Sequence, residues 1–200
     1  MTPARLAHVA LGATLAIQIF TAMAGVAAPV LAPAIAADFG VDPRWIGAFV
    51  GMVYMGGMTA SLASGGFIER YGSIRVSQAC VLVCAAGLAM MTVAPVDSPA
   101  WLALAALVLG VGYGPITPAS SHLLARTTAP ERMSLTFSIK QTGVPAGAAL
   151  SGALLPTLAE IAGWRLASST SISLWVVTDA MAAPLASCRP SYRRGGRALR

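Results

Sequence analysis

The chain has 200 residues, of which 56% are hydrophobic and only 10% charged, with a formal net charge of +6 and a mean hydropathy of +0.74. A soluble domain carries about 25% charged residues, so in water this composition would leave large apolar patches bare, which excludes an ordinary water-soluble domain. The positive charge does not describe a nucleic-acid surface either: five of the thirteen basic residues (Arg189, Arg193, Arg194, Arg197, Arg200) end the chain, and most others flank apolar runs as topology signals.

A helix needs about 20 apolar residues to cross a hydrocarbon core about 30 Å thick, and runs of that length recur along the chain. Span 1 is read from Val9 to Ala37, with Gln18 deep inside it and Pro29 and Pro33 placed to kink or end it. Arg5 ahead of this run resembles the start of a secretion leader. The apolar stretch is close to thirty residues, however, against about 7–15 in a leader, so it reads as a span. Span 2 runs from Trp45 to Ile68, with Gly47 and Gly51 at the spacing that lets another helix approach closely. Span 3 runs from Val76 to Val96, and its Cys80 and Cys84, with no histidine nearby, read as small packing residues rather than metal ligands.

Span 4 runs from Trp101 to Ala125 and contains Gly110, Gly112 and Gly114 around Tyr113, then Pro115 and Pro118. Each glycine costs about 1 kcal/mol against alanine in a helix, so close packing or flexing is expected there. Span 5 runs from Leu135 to Ala162 and is interrupted by Lys140 and Gln141. Beyond Trp164-Arg165 the sequence turns to Ser, Thr and small residues. Ile172 to Ala186 is then a weak sixth span, since Asp179 within it costs about 2.5–3.5 kcal/mol at a span centre. Residues 187–200 form a basic tail expected to be disordered. The expected organisation is therefore an all-α integral membrane protein, a bundle of five to six transmembrane helices over 1–165 and a weak span with a tail over 166–200. Barrel strands are excluded because the runs are long and lack alternation.

Short connections force successive helices to run antiparallel. With the N-terminus inside, Arg5, Arg70, Arg75, Arg126, Arg132 and the five tail arginines fall on the cytoplasmic side, against Arg44 and Arg165 outside. The expectation is a multi-pass protein of a cell membrane, of the bacterial inner-membrane kind, in contact with the lipid bilayer.

Two stretches carry chemistry. The first is Gly65-Gly66-Phe67-Ile68-Glu69-Arg70-Tyr71-Gly72-Ser73-Ile74-Arg75, a helix end, an acid–base pair, a turn glycine and a second base. It is either a plain basic loop or a set of charges that pair across a helix seam and part when the bundle rocks. The second is Ser138 to Gly147. Lys140 there is either a lysine snorkelling to the interface or a cation facing a water-filled cavity, where it would bind an anion. Gln141 and Thr142 add hydrogen-bonding groups, Gly143 and Gly147 form a second close-approach pair, and Pro145 frees a backbone carbonyl. Gln18 is either an interhelical hydrogen bond or a cavity contact, and Tyr113 joins the candidate solute-binding residues. His122 reads as a solvated interface residue. No phosphate-binding loop and no nucleophile–His–acid set is present in the sequence, so neither an ATP-driven pump nor an enzyme is expected, and no cofactor or metal is called for.

The first stretch resembles the signature between helices 2 and 3 of the major facilitator superfamily: glycine, three residues, Asp-Arg, any residue, glycine, then basic residues. Gly65, Arg70 and Gly72 match, Glu69 stands for the Asp, and Arg75 falls one place beyond the first basic positions, held here by Ser73 and Ile74. The resemblance implies a conformational gate at Gly65, Glu69, Arg70, Gly72 and Arg75 that holds two helix bundles together. The run from Ser138, with Gly152 and Pro156, resembles the fifth helix of cyanate-permease-like bacterial facilitators. The arginine that the family often carries in its fourth helix is absent, Leu102 to Leu109 being wholly apolar. The resemblance covers residues 5 to 165 and implies about twelve spans in two halves, with the site between them at the midplane. The chain supplies one half. It is expected to pair with a second half or as a homodimer, to be a fragment, or to have changed reading frame near Arg165. The expected function is secondary transport of a small solute, an organic or inorganic anion on the strength of Lys140. The rival is a non-transporting remnant or an assembly partner of another membrane protein.

Overall fold

A backbone that lies in hydrocarbon must satisfy its own hydrogen bonds, and an uninterrupted apolar run does so only as a helix. The computed structural model describes residues 3–42, 44–95 and 98–169, and among these the chain is helical, with short turns and no strand. The helices are α1 (Pro3–Val30), α2 (Ala32–Phe39), α3 (Trp45–Tyr71), α4 (Ser73–Thr92), α5 (Pro99–Tyr113), α6 (Ile116–Thr127), α7 (Met133–Gln141) and α8 (Gly143–Ala162), with a 3₁₀ turn at Pro130–Arg132. Among the described residues five stretches are long and apolar enough to cross a membrane: Ala7–Val30, Trp45–Tyr71, Ser73–Thr92, Ala100–Thr127 and Pro130–Ala162. The expected sixth span at 172–186 and the tail at 187–200 lie outside the described residues.

Prolines account for the breaks within spans. Leu31 leaves helical geometry between Pro29 and Pro33, and Pro33 opens α2 at a position where no backbone donor is needed. Span 4 breaks at Gly114–Pro115, where Pro115 and Pro118 have no N–H for the carbonyls of Val111 and Gly114. Span 5 breaks at Thr142, because Pro145 cannot donate to the Gln141 carbonyl. The turn between spans 2 and 3 is tighter than the sequence suggested. Gly72, at φ 87°, is its single non-helical residue, so α3 continues to Tyr71 and α4 starts at Ser73. Span 3 in turn stops at Thr92, short of the expected Val96, with Pro95 just beyond.

Span 4 lies between spans 2 and 3, and span 1 lies along span 5. The alternate glycines of span 4 are explained by two seams. Gly110 and Gly114, four residues apart on one helix face, press against the backbone of Val53 and Gly57 of span 2. Gly112, turned about 180° from the mean direction of Gly110 and Gly114 at about 100° per residue, faces span 3, where an added Cβ would lie 2.6 Å from the Cys84 nitrogen. Gly56 and Gly87 complete the seams from the other side, against Leu107 and Leu109. Without a hydrophobic drive between helices in lipid, such close backbone packing is a principal source of stability. Cys84 sits in this contact with its Sγ 3.5 Å from the Leu109 carbonyl. Gly47 and Gly51, expected to pack, meet no partner among the described residues. An added Cβ at either meets nothing within 4 Å, because their face of α3 points away from span 4.

On the side of Gly40 a polar clamp ties three spans. Arg165 donates to Asp38 (Nη2–Oδ2 3.0 Å) and to the carbonyls of Thr92 (2.9 Å) and Ala94 (3.2 Å), and Trp164 Nε1 donates to Asp38 at 3.1 Å. The guanidinium thus closes the end of α4, where the helix dipole favours a cation. Residues 164–169 continue as a helix with Trp164, Ala167 and Ser168 buried, so the packing does not fail at Arg165. Arg165→Met is expected to cost about 1–3 kcal/mol by stripping partners from the carboxylate and two carbonyls. Exchanging the pair (Asp38→Arg with Arg165→Asp) should recover only part of it, since a carboxylate cannot serve the α4 carbonyls. Thermal unfolding of the purified chain in detergent checks both, and full recovery by the exchange would contradict the clamp described here.

Candidate functional site

Lys140 lies in the last turn of α7, two residues before the Thr142 break, and points into the bundle rather than out of it: it is 1% exposed. Its Nζ donates to the Thr117 carbonyl (3.3 Å) and to Ser121 Oγ (3.1 Å), both on α6. Among the described residues no carboxylate lies within ion-pair distance of it. Two neutral oxygens are weak compensation for a desolvated ammonium, because removing a charge from water is costly unless it is paired. The lysine is therefore left without a compensating charge among the described residues. The breaks at Gly114–Pro115 and Thr142 fall on either side of this pair of elements, where interrupted helices expose backbone groups at membrane depth.

Gln18, on α1, packs against Gly143 of α8. It is 2% exposed and its Oε1 has no hydrogen-bond partner. Gly143, on the Lys140 face of span 5, makes room for it: an added Cβ there would lie 3.0 Å from Gln18 Cβ. Gly147 sits against the Ile19 carbonyl and Ala22 in the same seam. The neighbouring hydroxyls of α1 are committed to their own helix, Thr14 to the Ala10 carbonyl (2.8 Å) and Thr21 to the Ile17 carbonyl (2.6 Å). Gln18 is thus the buried polar side chain of this stretch left with an unfilled acceptor.

The other two candidates are not gathered here. Gln141 is exposed on the outside of span 5, since a neighbour in sequence is turned about 100° on a helix and cannot share the face of Lys140. Tyr113 is half-buried beside Gly25, whose added Cβ would meet its ring at 3.0 Å, and it forms an edge-on pair with Tyr54 at 6.3 Å between centroids. Two largely apolar cavities, of about 550 and 690 Å³, lie elsewhere. One is bounded by Phe39, Trp45 and Phe49, the other by Phe67, Tyr71 and Arg75.

At the gate stretch, Gly65 is open, Glu69, Arg70 and Arg75 are exposed, and the Arg70 guanidinium stands 5.4 Å from the Tyr71 ring centre. Sequence reasoning missed its tie to span 4: Ser73 Oγ and His122 Nδ1 are 2.7 Å apart, so His122 is a bonded partner of this turn rather than a merely solvated residue. Forty-nine residues separate the two, and nothing local signals the contact. The Asp38–Trp164–Arg165 clamp was missed for the same reason.

The family model described as Major Facilitator Superfamily matches residues 13–195, which extends past Arg165 and over most of the chain. No curated protein matches the sequence.

Proposed function

This chain belongs to the Major Facilitator Superfamily, and from that membership we propose that it serves the secondary transport of a small anion by alternating access. Transport of a solute across a membrane is the family's activity. The anion is read from this chain's own residues, and the observation that carries it is Lys140, an ammonium buried to 1% exposure among neutral oxygens. An arriving carboxylate or similar anion supplies the charge that the protein withholds. Gln18 is the candidate that span 1 contributes, while Tyr113, packed beside Gly25 and Tyr54, and Gln141, which faces outward, are set aside.

The excess of arginine on the Gly72 side supports an N-terminus on the cytoplasmic side of a cell membrane, the bacterial inner membrane in this proposal. In that frame Gly65, Glu69, Arg70, Gly72 and Arg75 form the cytoplasmic gate, and the Ser73–His122 contact passes its movement to span 4. The outward face of α3 with Gly47 and Gly51 is the surface offered to a second helical half or a second copy. Vesicles reconstituted with the chain are expected to take up radiolabelled acetate, and excess formate or glycolate should suppress this while glucose and choline do not. Suppression by glucose or choline, with anions inert, would overturn the anion assignment.

A further inference from the structure

Spans 2 and 3 part over span 4 and leave a groove between them. Thr59, Ala63, Phe67 and Tyr71 follow one face of α3, and Arg75, Ala79 and Val83 follow one face of α4. Val111 and Pro115 of span 4 form its floor. The cavity of about 690 Å³ is largely apolar along its length and basic at the Gly72 end. We infer that it binds an acyl chain of an anionic phospholipid whose phosphate is held by Arg75. This stands apart from the solute reading and uses none of its residues.

Length, lining and charge each select this occupant. From Thr59 to Tyr71, α3 rises about 18 Å at about 1.5 Å per residue, slightly more than the depth of one leaflet in a hydrocarbon core about 30 Å thick. The two hydroxyls along the groove are spent on their own helix. Thr59 donates to the carbonyls of Met55 and Gly56 (3.1 and 2.9 Å), and Ser64 donates to that of Ser61 (2.7 Å). The walls therefore present hydrocarbon, which suits a lipid tail. At the mouth, Arg75 is exposed and has no ion pair among the described residues. Arg70 holds a second guanidinium beside it, 5.4 Å from the Tyr71 ring centre. Glu69, the only carboxylate between Gly65 and Arg75, is turned about 200° from Tyr71 around α3. A guanidinium matches the geometry of a phosphate and binds it with two N–H groups. A helix of a second copy fits less well: over the same length, at about 10 Å across with its side chains, it needs about 1,400 Å³. On the orientation proposed above, the mouth lies in the cytoplasmic leaflet, which carries anionic lipid.

The purified chain in an uncharged detergent is titrated with dioleoyl phosphatidylglycerol, dioleoyl phosphatidylcholine and glycerol 3-phosphate. Native mass spectrometry counts the lipids retained and reports any dimer. Phosphatidylglycerol should be retained at about a tenfold lower concentration than phosphatidylcholine, as one charged contact implies, and glycerol 3-phosphate should not displace it. Arg75→Gln should erase the difference between the two lipids. Arg132→Gln, which removes an exposed charge outside the groove, should preserve it. Ala63→Phe and Ala79→Phe fill the groove from exposed positions on opposite walls. Each should weaken phosphatidylglycerol retention about tenfold while keeping the thermal midpoint. Equal retention of the two lipids, or equal effects of Arg75→Gln and Arg132→Gln, would overturn the inference. Displacement by glycerol 3-phosphate would mark a free-phosphate site and overturn it too. So would full retention in both phenylalanine variants, or a change in their dimer fraction alone, which would make the groove a contact between copies.

Discussion

Gly114→Val is expected to cost about 3 kcal/mol and to lower the thermal midpoint of the purified chain more than any outward-facing substitution, because the added carbons would occupy the position of the Gly57 backbone. A flexible side chain can swing aside, whereas two helix backbones can only separate. Separation here would pull span 4 from span 2 along the Gly110–Val53 contact as well. Gly47→Val and Gly51→Val are the controls. An added Cβ at either meets nothing within 4 Å among the described residues, and each should change stability by no more than about 0.5 kcal/mol. Equal losses at Gly114 and Gly47 would mean that spans 2 and 4 do not meet as described.

The second large effect is functional. Lys140→Glu replaces the cation with an anion at a site closed to water, so solute binding should fall by at least about a hundredfold, the effect of losing a buried charged partner. Helix insertion should survive, since five long apolar stretches drive it. Lys140→Met separates function from folding. Replacing a buried, uncompensated charge with an apolar side chain of similar length is often neutral or stabilising, so this variant should keep or raise its thermal midpoint while losing anion binding. A lysine whose role was to hold α6 against span 5 through Thr117 and Ser121 would instead show a marked loss of stability.

Much of the fold was legible because lipid leaves the backbone few choices: five apolar runs of bilayer length become helices, and prolines such as Pro33 and Pro115 break them. The site was legible in so far as polar residues in an apolar run stand out, which singled out Lys140 and Gln18. It failed where helix phase decides, as for Gln141, one residue and about 100° from Lys140. Spacing alone also could not say which glycines pack. Gly47 and Gly51 have the familiar interval but no neighbour, while Gly56 and Gly57 lack it and meet Leu107 and Gly110 because span 4 brings glycines of its own. Contacts such as Ser73–His122 and Asp38–Arg165, the latter 127 residues apart, are products of the packing and leave no local trace.

On the proposed anion transport, the missing counter-charge of Lys140 is the solute. A ligand that binds only the folded chain raises its stability, by about 2.7 kcal/mol at a hundred times the dissociation constant. Thermal unfolding of the lipid-embedded chain with rising glycolate should therefore show a midpoint that climbs in the wild type and stays level in Lys140→Met. A wild-type midpoint indifferent to glycolate, acetate and formate alike, or one that climbs equally in Lys140→Met, would contradict it.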